Sequence, residues 1–310
     1  MKKMRIIFMG TPDFSVPSLQ EIYDAGYDIA AVFTQPDKQQ GRGKKISFSP
    51  VKEKAISLGL TVFQPQKIRD EEVIQRITAL HPDVIVVIAY GKILPKAVLD
   101  IPPYGCLNVH GSLLPKYRGA APIQYAIKNG DPKSGVTIMQ LDEGMDTGPM
   151  LKKSELVLDP KETTASLFHK LSTLGASTLL TVLEHLPACI AQAETQKEAD
   201  ATYTSKIEKE MAEINWSQKA AVIERLIRTL DPQPGAYTFF KGKRLKIWFA
   251  DVVPGTDSAP GTVIHVTKKQ ITVQTGENAL CIREVQPESR NRMTTAQFLQ
   301  GNTITVGDIL

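Results

Sequence analysis

The stretch Val84-Ile-Val-Val-Ile-Ala89 runs without a polar residue between Asp83 and Tyr90. A strand with one wet face alternates apolar and polar residues, because successive side chains point to opposite faces. This run does not alternate. It therefore predicts a strand covered on both sides, as in a parallel sheet flanked by helices. The rest of the first half fits that demand. Residues 5–9, 29–34, 61–63, 105–110, 135–141 and 150–158 predict further strands. Helical stretches lie between them: 15–25, with Ser15 as cap and Gly26 as stop, then 50–58, 70–80, 120–129 and a long one over 163–186. Alternating strand and helix implies an α/β fold, a doubly wound, Rossmann-like domain with a parallel-rich sheet.

Two segments break the rhythm. Residues 35–49 are polar and rich in Gly, Lys and Gln, too long and too charged for a simple turn; they predict a mobile or functional loop. Over 189–205 the pattern fades into Ala, Gln, Glu and Thr. Beyond it come a helix at 218–230 and five short β segments at 236–240, 245–253, 261–267, 271–275 and 280–285. Short strands separated by turn residues suggest a small C-terminal β-barrel of the OB type. The expected organisation is a catalytic domain over 1–188, a linker over 189–206 and a second domain over 207–310.

Composition narrows the function. The chain has 310 residues, 42% hydrophobic and 23% charged, which is ordinary for a globular protein. No apolar run reaches the roughly 20 residues that span a bilayer. Met1-Lys-Lys-Met-Arg5 has the charge of a secretion leader, but only Ile6–Met9 follows before Gly10-Thr-Pro12 breaks the run, so a cytoplasmic protein is expected. Cys106, Cys189 and Cys281 are scattered, with neither zinc spacing nor a disulfide framework, which suits a reducing compartment. Gly10-Thr-Pro-Asp13 is not the glycine fingerprint of a dinucleotide site, no phosphate loop is present, and no metal is expected. The net charge of +4 is mild, but two basic clusters stand out: Arg42, Lys44 and Lys45, and Lys241, Lys243, Arg244 and Lys246.

The chemistry concentrates in Cys106-Leu-Asn-Val-His-Gly-Ser-Leu-Leu-Pro115. On a strand, Leu107 and Val109 share one face, and Asn108 and His110 share the other. Gly111 follows, so His110 lies at the carboxyl end of the strand, where open α/β sheets bind ligands. The pair reads either as a site or as two polar residues closing a turn. Gln140-Leu-Asp-Glu-Gly-Met-Asp-Thr-Gly148 follows another strand and offers Asp142, Glu143 and Asp146, either as a solvated acidic turn or as an acid/base partner. A carboxamide, an imidazole and a carboxylate together suit acyl transfer to an amine. The amide donates to an oxygen gaining charge, and the imidazole–carboxylate pair moves the proton.

Asn108-Val-His-Gly-Ser-Leu-Leu-Pro-Lys-Tyr-Arg-Gly-Ala-Ala-Pro-Ile-Gln124 together with Gly135-Val-Thr-Ile-Met-Gln-Leu-Asp-Glu-Gly-Met-Asp-Thr-Gly148 resembles the folate-dependent formyltransferases. Ile7-Phe-Met-Gly-Thr-Pro-Asp-Phe14, Thr34-Gln-Pro-Asp37, Ala89-Tyr-Gly91 and Leu230-Asp-Pro232 extend the likeness over nearly the whole chain. The resemblance implies a formyltransferase domain joined to an OB-like domain, with Asn108, His110 and Asp146 as the catalytic trio. It implies 10-formyltetrahydrofolate as formyl donor, met by Ser112, Leu113, Leu114 and Pro115. It implies initiator methionyl-tRNA as acceptor for translation initiation, reached by Arg42, Lys44 and Lys45, and a monomer. The chain departs from the family pattern at Tyr125, Pro149, Met211-Ala212, Asn215 and 288–292, none of them in the trio.

Three other readings differ in what they require. An amino-sugar-nucleotide formyltransferase would share the trio and donor but has no need of the basic loop. A non-catalytic RNA-binding protein need not keep Asn108, His110 and Asp146 together, and an NAD-dependent oxidoreductase lacks its glycine fingerprint. If the loop meets phosphates, Arg42→Ala weakens the use of tRNA and flattens its salt dependence without altering donor saturation. Kinetics across a salt series check this, and unchanged tRNA use at every salt concentration makes the loop ordinary surface.

Overall fold

The computed structural model describes residues 3–40 and 45–310. Chain contacts divide it into two compact units. The first comprises Met1–Pro122, Lys133–Val157 and Phe168–Thr204; the second comprises Ile123–Pro132, Leu158–Leu167 and Ser205–Leu310.

The first unit contains the strands β1 (Arg5–Gly10), β2 (Asp28–Phe33), β3 (Lys38–Gln40), β4 (Lys45–Ser47), β5 (Val62–Phe63), β6 (Val84–Ile88), β7 (Cys106–His110), β8 (Arg118–Gly119), β9 (Lys133–Gln140), β10 (Met150–Val157) and β11 (Tyr203–Thr204). Seven of them form one sheet in the order β10-β9-β7-β6-β1-β2-β5. Pairing is parallel from β5 to β7 and antiparallel where β9 and β10 extend the edge. All five residues of β6 are buried, as its unbroken apolar run demands. Ile6, Ile7, Phe8 and Met9 of the adjacent β1 are fully buried too. Each such side chain contributes about 1.5–3 kcal/mol on leaving water.

From β1 the chain adds β2 and β5 on one side, then returns to place β6 and β7 on the other. That reversal opens a crevice at the carboxyl ends of the strands, the usual ligand position in such sheets. Those ends carry Gly10, Ile88 and His110. Ser15 precedes the helix Val16–Asp24 as expected, but its hydroxyl caps nothing. It donates instead to the Ile88 carbonyl at 2.7 Å, tying the helix start to the end of β6.

In the long polar stretch, β3 and β4 pair as a short antiparallel hairpin. At its base Lys52 Nζ lies 2.6 Å from Asp37 Oδ2, and Gln64 Nε2 donates to Asp37 Oδ1 at 2.8 Å. The bonds from Lys52 and Gln64 hold the Asp37 carboxyl below its ordinary range. Arg42 and Lys44 lie outside the described residues, and Lys45 falls within β4. The stretch expected to be a linker contributes β11 to the first unit, where it pairs with β8.

The second unit holds β12 (Tyr237–Phe240), β13 (Lys243–Val253), β14 (Val263–Val266), β15 (Ile271–Gln274), β16 (Ala279–Pro287) and β17 (Met293–Thr294). They form a curled antiparallel sheet in the order β12-β13-β16-β15-β14, with β17 on β16. The helix Ala220–Thr229 sets Ile223 and Ile227 into one core with Leu245, Ile247, Ile271, Val273, Leu280 and Ile282. The basic cluster borders an open cavity of about 710 Å³ lined by Lys241, Lys243, Arg244 and Arg290 among others.

Gly135 on β9 is a point of close approach. A Cβ there would lie 2.2 Å from the Ser154 carbonyl oxygen and 2.5 Å from Leu113 Cδ2. The first is backbone of the neighbouring β10 and cannot step aside without breaking the pair. Gly135→Ala should therefore destabilise the fold by about 1–3 kcal/mol, the cost of overpacking, seen as a lower denaturant midpoint with an unchanged slope. Equal midpoints for variant and wild type mean that the pair yields.

Candidate active site

β7 delivers the first two side chains. Asn108 and His110 sit two residues apart on one face, Asn108 half-buried and His110 6% exposed. Leu107 and Val109 are buried, so the alternation read from the sequence holds. No hydrogen-bond partner occupies the Asn108 carboxamide among the described residues, which leaves its donor free. The imidazole is fastened: His110 Nε2 is 2.9 Å from the Tyr117 carbonyl oxygen. A carbonyl only accepts, so Nε2 carries the proton. Nδ1 is then the ring atom left to exchange one.

The loop between β9 and β10 brings the carboxylate. Asp142 and Asp146 of the acidic stretch sit in different surroundings. Asp142 Oδ1 accepts from Gly144 N at 3.0 Å and Thr147 Oγ1 at 2.7 Å, so it is the turn former. Glu143 is exposed. Asp146 points inward: its Oδ1 is 3.6 Å from His110 Nδ1, and its Oδ2 accepts from Gly119 N at 2.8 Å. The 3.6 Å separation is too long for a hydrogen bond but close enough for a carboxylate to stabilise an imidazolium. Asp146 itself has a φ of 56°, a left-handed conformation that Asp tolerates better than most residues.

The turn after β7 is built on its own backbone. Ser112 and Leu114 are each 1% exposed. Ser112 Oγ donates to the Lys116 carbonyl at 2.6 Å. Thr137 Oγ1 donates to the Ser112 carbonyl at 2.7 Å and accepts from Leu114 N at 3.0 Å. The side chains of Ser112 and Leu114 are thus occupied within the fold, and Leu113 and Pro115 remain half-exposed.

Sequence reasoning missed three residues. Tyr90, just beyond β6, is 1% exposed, and its hydroxyl has no hydrogen-bond partner among the described residues. Burial pushes that phenol up to about 12. The Tyr90 carbonyl accepts from Thr11 Oγ1 and Gln35 Nε2, both at 3.0 Å, which gathers the ends of β1, β2 and β6 at the crevice. Gln196 donates from Nε2 to the carbonyls of Asp146 at 2.7 Å and Gly148 at 2.8 Å. Arg118, 1% exposed, donates from Nε to Gln196 Oε1 at 3.0 Å. Tyr90 and Arg118 lie inside motifs that carried the resemblance. Nothing local marks Gln196, which falls where the pattern fades. Among the described residues no three His, Cys, Asp or Glu side chains gather as metal ligands.

A doubly wound α/β unit with a free carboxamide and an imidazole–carboxylate pair at the crevice is the architecture of a group-transfer enzyme. Residues 3–183 match the formyl transferase family and residues 206–303 match the formyl transferase C-terminal domain. The methionyl-tRNA formyltransferase of Agathobacter rectalis is 50% identical over 305 residues, covering 98% of each chain. HypX from Aquifex aeolicus in complex with tetrahydrofolic acid superposes with a TM-score of 0.65 at 18% identity, over 96% of this chain and 47% of that one. WlaRD, a sugar 3N-formyl transferase crystallised in the presence of dTDP and 5-N-formyl-THF, gives a TM-score of 0.65 at 18% identity, over 94% of this chain and 100% of its own. The chain belongs to the formyl transferase family.

Asp146→Asn keeps the shape of the loop and removes the charge that faces His110 Nδ1. Turnover in formyl transfer should fall roughly 10²- to 10⁴-fold, the range for an acid/base group. Single-turnover kinetics measure it, and a rate within a few-fold of wild type would remove Asp146 from the chemistry.

Proposed function

We propose that this chain transfers the formyl group of 10-formyltetrahydrofolate to the α-amino group of methionine on initiator methionyl-tRNA, giving N-formylmethionyl-tRNA for translation initiation. The observation that carries the reading is a methionyl-tRNA formyltransferase at 50% identity along essentially the whole chain, combined with the free Asn108 amide beside the His110–Asp146 pair. The amine nitrogen attacks the formyl carbon directly. The Asn108 amide donates to the formyl oxygen as it gains negative charge. The proton lost by the amine passes to His110 Nδ1, and Asp146 stabilises the imidazolium so formed. The C–N10 bond of the donor then breaks, and that proton, returned by His110, completes the folate amine. Holding the two substrates in line supplies much of the remaining acceleration.

Ser112–Pro115 receive the folate, Leu113 and Pro115 through their half-exposed side chains and the buried pair by holding the backbone turn. Arg42, Lys44 and Lys45 meet the acceptor arm of the tRNA, and the basic cavity of the second unit meets phosphates further along it. Translation initiation places the protein in the cytoplasm. The resemblance to the family supports a monomer.

Donor and charged initiator methionyl-tRNA, run beside uncharged tRNA and a dTDP-amino sugar, separate the readings. Formylation of the charged tRNA alone is expected. Transfer to the sugar alone keeps the chemistry and overturns the tRNA assignment, and transfer to neither overturns both.

A further inference from the structure

Both reacting side chains are gripped by one short stretch of backbone. Tyr117 supplies the carbonyl that accepts from His110 Nε2, and Gly119 supplies the amide that donates to Asp146 Oδ2. The residue between them, Arg118, sends its side chain into the fold. Its Nε donates to Gln196 Oε1, and its Nη1 donates to Glu198 Oε2 at 2.8 Å and Tyr203 Oη at 3.0 Å. Gln196, 8% exposed, then closes a circuit by donating to the carbonyls of Asp146 and Gly148. The backbone of 117–119 is also paired with the same distant segment. Tyr117 N donates to Thr202 Oγ1 and Arg118 N to the Thr202 carbonyl, each at 2.8 Å. Gly119 leaves no slack there: at its φ of 108° a Cβ would lie 2.5 Å from the Thr204 carbonyl oxygen.

We propose that Gln196, oriented by Arg118, is a positioning residue for the reaction: it holds the backbone of Asp146 in its left-handed turn so that the carboxylate meets both Gly119 N and His110 Nδ1. The amide of Gln196 has only one workable orientation. Its oxygen must face the guanidinium and its two N–H groups must face the two carbonyls; a flip would set oxygen against oxygen and N–H against N–H. Arg118 enforces that orientation, because a guanidinium only donates. The Arg118–Gln196 and Gln196–Gly148 bonds are buried, so water does not readily replace either, and a carbonyl left unpaired there costs more than the bond was worth. The part of this inference that concerns turnover rests on the formyl-transfer reading; the part that concerns the Asp146 loop does not.

Gln196→Glu is the sharpest test. It keeps the size of the side chain and the acceptor for Arg118, but replaces both N–H groups by an oxygen that faces the two carbonyls. Gln196→Met, which also removes the donors and adds no buried charge, serves beside it in case the glutamate unfolds the segment. Two readouts are taken on the full chain. Amide hydrogen exchange at Gly119, resolved by NMR, should rise about tenfold once Asp146 Oδ2 is no longer held against it, while the β6 amides keep their protection. Formyl transfer should lose roughly 10- to 100-fold in kcat, with KM for donor and charged tRNA within about twofold, because substrate contacts remain and only the alignment of the pair is lost. A folded variant with wild-type exchange at Gly119 and wild-type kcat overturns the proposal. A fall in kcat with Gly119 still protected overturns it as well. If the wild type transfers formyl to no acceptor tried, the reading of function fails, and the exchange at Gly119 still decides whether Gln196 holds the loop.

Discussion

The Tyr117 carbonyl can accept a hydrogen bond and do nothing else. That single property sets the chemistry of the site, because it fixes the proton of the His110 ring on Nε2 and turns Nδ1 toward Asp146. The loop after β9 brings the Asp146 carboxylate to 3.6 Å from Nδ1 and anchors it on Gly119 N. In the proposed reaction the carboxylate, 3.6 Å away, steadies the imidazolium when it forms, and the neutral ring offers its Nδ1 lone pair to the incoming proton.

The sheet makes this affordable in conformational terms. β6 is buried throughout and pairs with β7, and β1 on its other side is buried from Ile6 to Gly10, so the strand that carries Asn108 and His110 rests on a close-packed core. Helix Val16–Asp24 is moored to the same edge by Ser15, whose hydroxyl reaches the Ile88 carbonyl. The Tyr90 carbonyl collects Thr11 and Gln35 beside it. Three strand ends are thereby fixed by side chains rather than by ladder bonds, which stop where the strands stop. Among the described residues the buried Tyr90 hydroxyl has no partner at this edge. A buried phenol without a partner carries a desolvation cost.

What the sequence revealed follows the range of the interactions involved. The β6 run was legible because burial on two faces writes itself into consecutive residues. Asn108 and His110 were legible because strand alternation puts them on one face and Gly111 marks the strand end. The acidic loop was half legible. Composition said turn or acid; the fold uses Asp142 in the turn and sets Asp146 facing His110, where the acid role is proposed. Ser15 was placed at the right position with the wrong partner, since a serine before a helix has the same local signature whether it bonds the helix or a strand far along the chain. Arg118 and Gln196 were not legible at all as partners. Their bond spans 78 residues, and the bond from Gln196 to Asp146 spans 50, so no window of local periodicity contains either pair.

The same reasoning explains why 189–206 read as a linker. Its residues bury little apolar surface, and hydrophobic pattern is the signal from which elements are read. Yet Gln196, Glu198, Thr202 and Thr204 are bonded into the first unit almost entirely through polar groups. A segment of this kind has no drive to collapse by itself. Its donors and acceptors meet those of 117–119 and the Asp146 loop, and it satisfies carbonyls that would otherwise be left unpaired. The dependence is mutual: the strained turn at Asp146 persists because its surroundings over-determine it, and the surroundings are complete only when this polar segment is in place. If Gln196 positions Asp146 as proposed, the geometry of the site belongs to the linked bonds together, because losing the Gln196 donors leaves the Asp146 and Gly148 carbonyls unpaired.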